Sequence, residues 1–251
     1  MATIAAAIFF GVLIGLLLGM VGGGGSILTV PILVYVIGLG VHEATATSLI
    51  IVGATALFGA VPHAMEGRVR VPTALLFGGS GIAGAFAGTW LNQRVDGQMI
   101  LLLFGILMVV VAARMAFGHR PKVDPAEPRK TWIVPLAGLA VGVMTGFFGV
   151  GGGFLIVPAL VLAVGLPMRM AVGTSLVVIA INSGAGIVAH LGTGGFDVAV
   201  AGLFLIGGAV GGNLGGRLAG RVNEAKLSRG FAALVAAVGV FLILRNGAGF
   251  A

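Results

Sequence analysis

Four consecutive glycines, Gly22, Gly23, Gly24 and Gly25, end a long apolar run and are followed at once by Ser26. Glycine costs about 1 kcal/mol relative to alanine inside a helix, so four in a row break one. The helix that restarts after the break has free N–H groups at the positive end of its dipole, which bind an anion without a fixed cation. The same chemistry returns at Gly149, Gly151, Gly152 and Gly153. Thr47-Ser48 and Thr174-Ser175 lie early in the next apolar segment of each half. Their hydroxyls could hydrogen-bond an oxyanion, or bond back to the preceding helical turn. His63 and His190 close those segments and could carry a proton or sense pH, the alternative being an anchor for a helix end. Asn182 sits inside the same second-half segment, as interhelical glue or as a ligand contact.

Other chemistries lack their residues. The chain has no cysteine, which removes disulfides, thiolate metal sites and thiol relays. No Lys-Ser or Lys-Thr follows the glycines, so they are not a nucleotide-phosphate loop. There is no Ser-His-Asp order, no paired intramembrane carboxylates and no HExxH. An enzyme is not expected, nor a cofactor or a bound metal.

The elements that must position these residues form one unit, duplicated. GMVGGGGSILTVPIL, from Gly19 to Leu33, recurs as GFFGVGGGFLIVPAL, from Gly146 to Leu160, 127 residues later. The same offset maps Gly11 and Gly15 on Gly138 and Gly142, Thr47-Ser48 on Thr174-Ser175, His63 on His190, and Gly84 and Gly88 on Gly211 and Gly215, with no insertion. At 59% hydrophobic and 8% charged over 251 residues, the chain is too apolar for a soluble domain. The expected fold is an all-α polytopic membrane protein of two repeats, 1–117 and 132–251, joined by a cytoplasmic linker, 118–131. Each repeat holds about five hydrophobic segments. The short second segments, Ser26–Gly40 and Gly153–Gly165, would span about 20–22 Å at ~1.5 Å per residue, less than a ~30 Å hydrocarbon core. They are half-helices or the returning arms of re-entrant hairpins.

Charge then chooses the topology. If each long-plus-short pair crosses a net zero times, each repeat crosses an odd number of times and the second is inverted. That arrangement puts every one of the 14 Lys and Arg except Arg94 and Arg245 on one face, whereas parallel repeats split them eight against six. The positive-inside rule selects inverted repeats with both termini outside the cytoplasm. It also accounts for the net charge of +7 without nucleic acid.

The doubled G-x-x-G-x-G-G-[GS]-x-[IL]-x-V-P, each followed by Thr-Ser-Leu, resembles the TauE/SafE family of sulfite exporters over essentially the whole chain. The resemblance implies a membrane carrier of sulfite, sulfonates or related sulfur oxyanions, with the glycine-rich breaks and Thr-Ser pairs as the substrate-binding residues. Ser26 becomes Gly153 and Thr29 becomes Ile156 in the second half, so the halves need not contribute equally.

A membrane potential, negative inside, is worth ~2.3 kcal/mol per charge per ~100 mV, so efflux of an anion needs no coupling ion. The sequence reading is therefore an inner-membrane secondary transporter moving a small sulfur oxyanion outward. An anion channel using the same helix ends, or a non-transporting scaffold, stands beside it. The partners expected are the anion and the bilayer, and lipid-facing glycine ladders leave a homodimer open.

Overall fold

The computed structural model describes residues 2–117, 132–148, 153–191, 195–219 and 224–247. The interrepeat linker, 118–131, and Gly149, Gly151 and Gly152 lie outside the described residues. Ten helices follow one another, with no strand among the described residues: α1 Ala2–Val21, α2 Gly24–Ile32, α3 Val41–Met65, α4 Val71–Asn92, α5 Gly97–Phe117, α6 Ile133–Phe148, α7 Gly153–Pro158, α8 Met168–His190, α9 Val198–Ala219 and α10 Glu224–Gly247. Six of them, α1, α3, α4, α5, α8 and α9, are long and apolar enough to cross a membrane. The protein is an all-α polytopic membrane protein.

The short segments widen as they proceed. Pro31 and Pro158 lack the N–H that an α-helix needs at their positions. Just beyond each, the chain continues as a π-helix, Leu33–Ile37 in the first half and Ala159–Val164 in the second. Both π turns end on a left-handed glycine, Gly38 at φ +87° and Gly165 at φ +81°. The following N–H groups close back, Leu39 to the Leu33 carbonyl at 3.0 Å and Leu166 to the Leu160 carbonyl at 2.9 Å.

Neither half packs chiefly on itself. α1 lies along α9 and α4 along α6, and the glycine ladders are what let their backbones touch. Gly11 faces Phe204, Gly15 faces Gly208 and Gly212, and Gly19 faces Gly212 and Gly215. In the equivalent pair, Gly138 faces Phe77, Gly142 faces Gly81 and Gly146 faces Ala85. The ladders make the close helix packing that their i, i+4 spacing predicts, and they are buried between the two halves rather than turned to lipid. That removes the ground they gave for a homodimer.

Equivalent helices run in opposite directions. Leu49 of α3 meets Gly186 of α8 while Gly53, one turn on, meets Ser183, one turn back. Gly105 of α5 lies beside Leu242 of α10, and Gly239 beside Met108, again an antiparallel register. Phe77 of α4, Phe104 of α5 and Phe204 of α9 are fully buried in the apolar part of the core, while α3 and α8 also bury polar side chains, Ser48, Thr55, Asn182 and Ser183 among them.

Candidate functional site

α1 stops where Gly22 turns left-handed at φ +78°, a conformation that glycine adopts without strain. After two residues α2 doubles back, setting Gly25 against the Ile14 carbonyl and Leu18 of α1. Of the two geometries the sequence allowed, the first half adopts the returning arm.

The break of the first half meets the second half's residues. A Cβ on Gly22 would fall 2.5 Å from Ser175 Oγ and 2.9 Å from Val157. One on Gly153 would fall 2.7 Å from Gly23 Cα and 2.9 Å from Ser26 Oγ. Gly22, Gly23, Ser26, Gly153 and Ser175 thus converge, all buried. Among the described residues no Lys, Arg, Asp or Glu is buried, so this centre is polar without being charged. The serines bond back locally, Ser26 Oγ donating to the Gly23 carbonyl at 2.7 Å, Ser175 Oγ to Val172 at 2.7 Å and Ser48 Oγ to Thr45 at 2.8 Å. Rotating such a hydroxyl toward an anion forfeits one internal bond, a net cost of about 0.5–1.5 kcal/mol. A charge-assisted bond to the anion is roughly twice as strong and covers that cost.

The Thr-Ser pairs divide their work. Thr47 Oγ1 accepts the Asp197 N–H at 3.0 Å, and Thr174 Oγ1 accepts the Arg70 N–H at 2.9 Å. Arg70 and Asp197 are equivalent residues at the entries of α4 and α9, so each threonine ties down a loop of the opposite half. Among the described residues, Ser175 is the member of these pairs placed against the glycine break of the first half.

The histidines also differ. His63 Nε2 lies 2.9 Å from the Gly19 carbonyl, which can only accept, so this nitrogen carries the proton. Gly19 stands near the end of α1, where the break leaves carbonyls without helical partners, and His63 supplies one. At the end of α6, Asn92 takes the corresponding task, its Nδ2 donating to the Phe147 carbonyl at 2.7 Å. His190 Nδ1 instead donates to Gly186 of its own helix at 2.9 Å. His63→Ala should leave a buried carbonyl unpaired at a cost of about 1–3 kcal/mol, roughly 2–12 °C in melting temperature. His63→Gln, which keeps a donor, should recover much of the loss in a thermal melt.

Asn182, singled out from the sequence as glue or ligand contact, belongs to a second set of buried polar groups whose other members, Thr55 and Ser183, were not. Thr55 and Asn182 occupy equivalent positions, against the equivalent glycines Gly208 and Gly81. Thr55 Oγ1, both Asn182 amide atoms and Ser183 Oγ have no hydrogen-bond partner. The available signal was the 127-residue offset itself, which puts a polar residue at this place in both halves.

The chain is similar over most of its length to known membrane proteins. A family model described as "Sulfite exporter TauE/SafE" matches residues 7–242. A "Probable membrane transporter protein" of Xylella fastidiosa strain 9a5c is 38% identical over 247 residues, 94% of this chain and 93% of that one. "Probable membrane transporter protein MJ0441" of Methanocaldococcus jannaschii is 30% identical over 192 residues, covering 73% and 71%. "Probable membrane transporter protein YdhB" of Bacillus subtilis is 26% identical over 200 residues, covering 78% and 82%. No solved structure matches significantly. With the family model matching nearly the whole chain and a relative 38% identical along it, the chain belongs to the TauE/SafE sulfite exporter family of membrane transporters.

Proposed function

We propose that the protein carries a small sulfur oxyanion, such as sulfite, a sulfonate or thiosulfate, outward across the cytoplasmic membrane by alternating access. The observation that carries this reading is the meeting of Gly22, Gly23 and Ser26 with Gly153 and Ser175, one broken helix from each half. Irregular backbone at membrane depth is tolerated where protein or a polar cavity satisfies it, and paired breaks in two halves are a pointer to a transporter's binding site. The antiparallel registers of α3 with α8 and α5 with α10 support inverted repeats, and the distribution of Lys and Arg supports both termini outside the cytoplasm. Inversion lets one rocking motion open the centre to either side. The absence of buried acids among the described residues fits an anion that leaves down the potential, at ~2.3 kcal/mol per charge per ~100 mV, without a coupling cation.

The test is a thermal-shift panel on purified protein, comparing sulfite, thiosulfate, sulfoacetate, taurine and sulfate with chloride and acetate at fixed ionic strength. One sulfur oxyanion should stabilise selectively. At ~100 times its Kd the shift corresponds to about 2.7 kcal/mol. Ser175→Ala should weaken the response about tenfold in concentration, the loss of one hydrogen bond to a charged group. Equal responses to all the anions would sink a dedicated sulfur-oxyanion site, and currents far above carrier turnover would replace the carrier with a channel.

A further inference from the structure

Among the described residues, nothing covers the outer flank of α2. Between α2 with its π-helical continuation and α10 runs a groove of about 310 Å³, walled by Leu28, Pro31 and Tyr35 on one side and Ala237, Val238 and Phe241 on the other. Its origin is a mismatch of lengths. The apolar segment Gly25–Ile37 spans only about 20 Å at ~1.5 Å per residue, against a hydrocarbon core of ~30 Å. A fully apolar wall at that depth has to be covered, and water is not available there to do it.

The end of the groove is polar and basic. Tyr35 packs edge-on against Phe241 with ring centroids 5.6 Å apart. Its hydroxyl donates to Asn246 Oδ1 at 3.1 Å, and the Arg245 guanidinium stands 5.5 Å above its ring. Arg245 is exposed and makes no ion pair among the described residues. A tyrosine with one wet end beside an arginine is the pairing found where hydrocarbon meets headgroups. The cluster, built from both halves, has no counterpart under the repeat, because the 127-residue offset puts Leu162 in place of Tyr35 and Gly118 in place of Arg245.

We propose that this groove is a binding site for an anionic phospholipid, one acyl chain lying between α2 and α10 and the phosphate on Arg245. The charge selects the headgroup and the short helix makes room for the chain. Because α2 also carries Ser26 of the central site, the lipid would brace the helix that the transport cycle must move. The lipid site itself does not depend on what the protein transports.

Native mass spectrometry of the purified protein with equal amounts of phosphatidylglycerol and phosphatidylcholine tests it. The wild type should retain phosphatidylglycerol about fivefold better, the equivalent of about 1 kcal/mol for one basic residue near an anionic surface. Arg245→Gln, an exposed position that should leave the melt unchanged, should abolish the preference. Ala237→Trp, which fills the groove, should lower retention of both lipids. Equal retention by the wild type, or a preference that survives Arg245→Gln, would overturn the proposal. So would a lipid-free dimer that Ala237→Trp dissociates, since the face would then belong to a second copy of the chain.

Discussion

Replacing Gly84 and Gly88 together by alanine should cost roughly 4 kcal/mol and lower the melting temperature by about 8–16 °C. Both glycines lie on α4 where it touches the backbone of α6. A Cβ at Gly84 would sit 2.7 Å from the Val143 nitrogen and against the Leu139 carbonyl, and one at Gly88 would sit 2.7 Å from the Phe147 nitrogen. Backbone cannot rotate aside as a side chain can, so the two helices must separate. Alanine's better helix propensity returns only about 1 kcal/mol per site. Gly79, on the same helix, has nothing within 4 Å of its added Cβ and is exposed. Gly79→Ala should leave the melt unchanged or raise it. If the double variant melts with the wild type, the α4–α6 contact is not what holds the halves together.

Gly153→Ala is expected to abolish function more completely than it unfolds the protein. Its methyl group would press on Gly23 Cα, Ser26 Oγ and the Ile179 side chain, at 2.7, 2.9 and 2.8 Å. Two of these contacts belong to the break of the first half, so the two short helices would be wedged apart at their point of meeting. Misplacing binding groups by about 1 Å can cost about 100-fold, and that loss is expected in efflux of sulfite from proteoliposomes. The helical content should stay that of the wild type. Gly184→Ala, on α8 with open space around it, is the control and should transport normally. Normal efflux by Gly153→Ala would place the substrate elsewhere, with the partnerless groups of Thr55, Asn182 and Ser183 as the next place to look.

Much of this was legible because the chain was written twice. The offset of 127 residues paired every helix with its counterpart, and Gly22 to Gly25 marked the break of α1, since no helix carries that run. What the sequence withheld were contacts between halves. Thr47 and Thr174 read as partners of Ser48 and Ser175, yet they hold Asp197 and Arg70, 150 and 104 residues away. His63 read as a proton or pH group or as an anchor for a helix end, and its approach to Gly19 shows which helix end it meets. The π turns after Pro31 and Pro158 were hidden too, because proline announces a disturbed helix without saying which way the chain relaxes.

The exchange of partners between the halves also bears on how the protein is made. α1 ends at residue 21, but α9, the helix its glycines fit, begins only at residue 198. At about 5–20 residues per second, synthesis of the intervening chain takes roughly 9–35 s. Throughout that time α1 waits in the bilayer with its glycine stripe turned to lipid. A ribosome that stops early, anywhere before α9, therefore leaves α1 without the helix its glycines fit, an open flank for quality control to recognise.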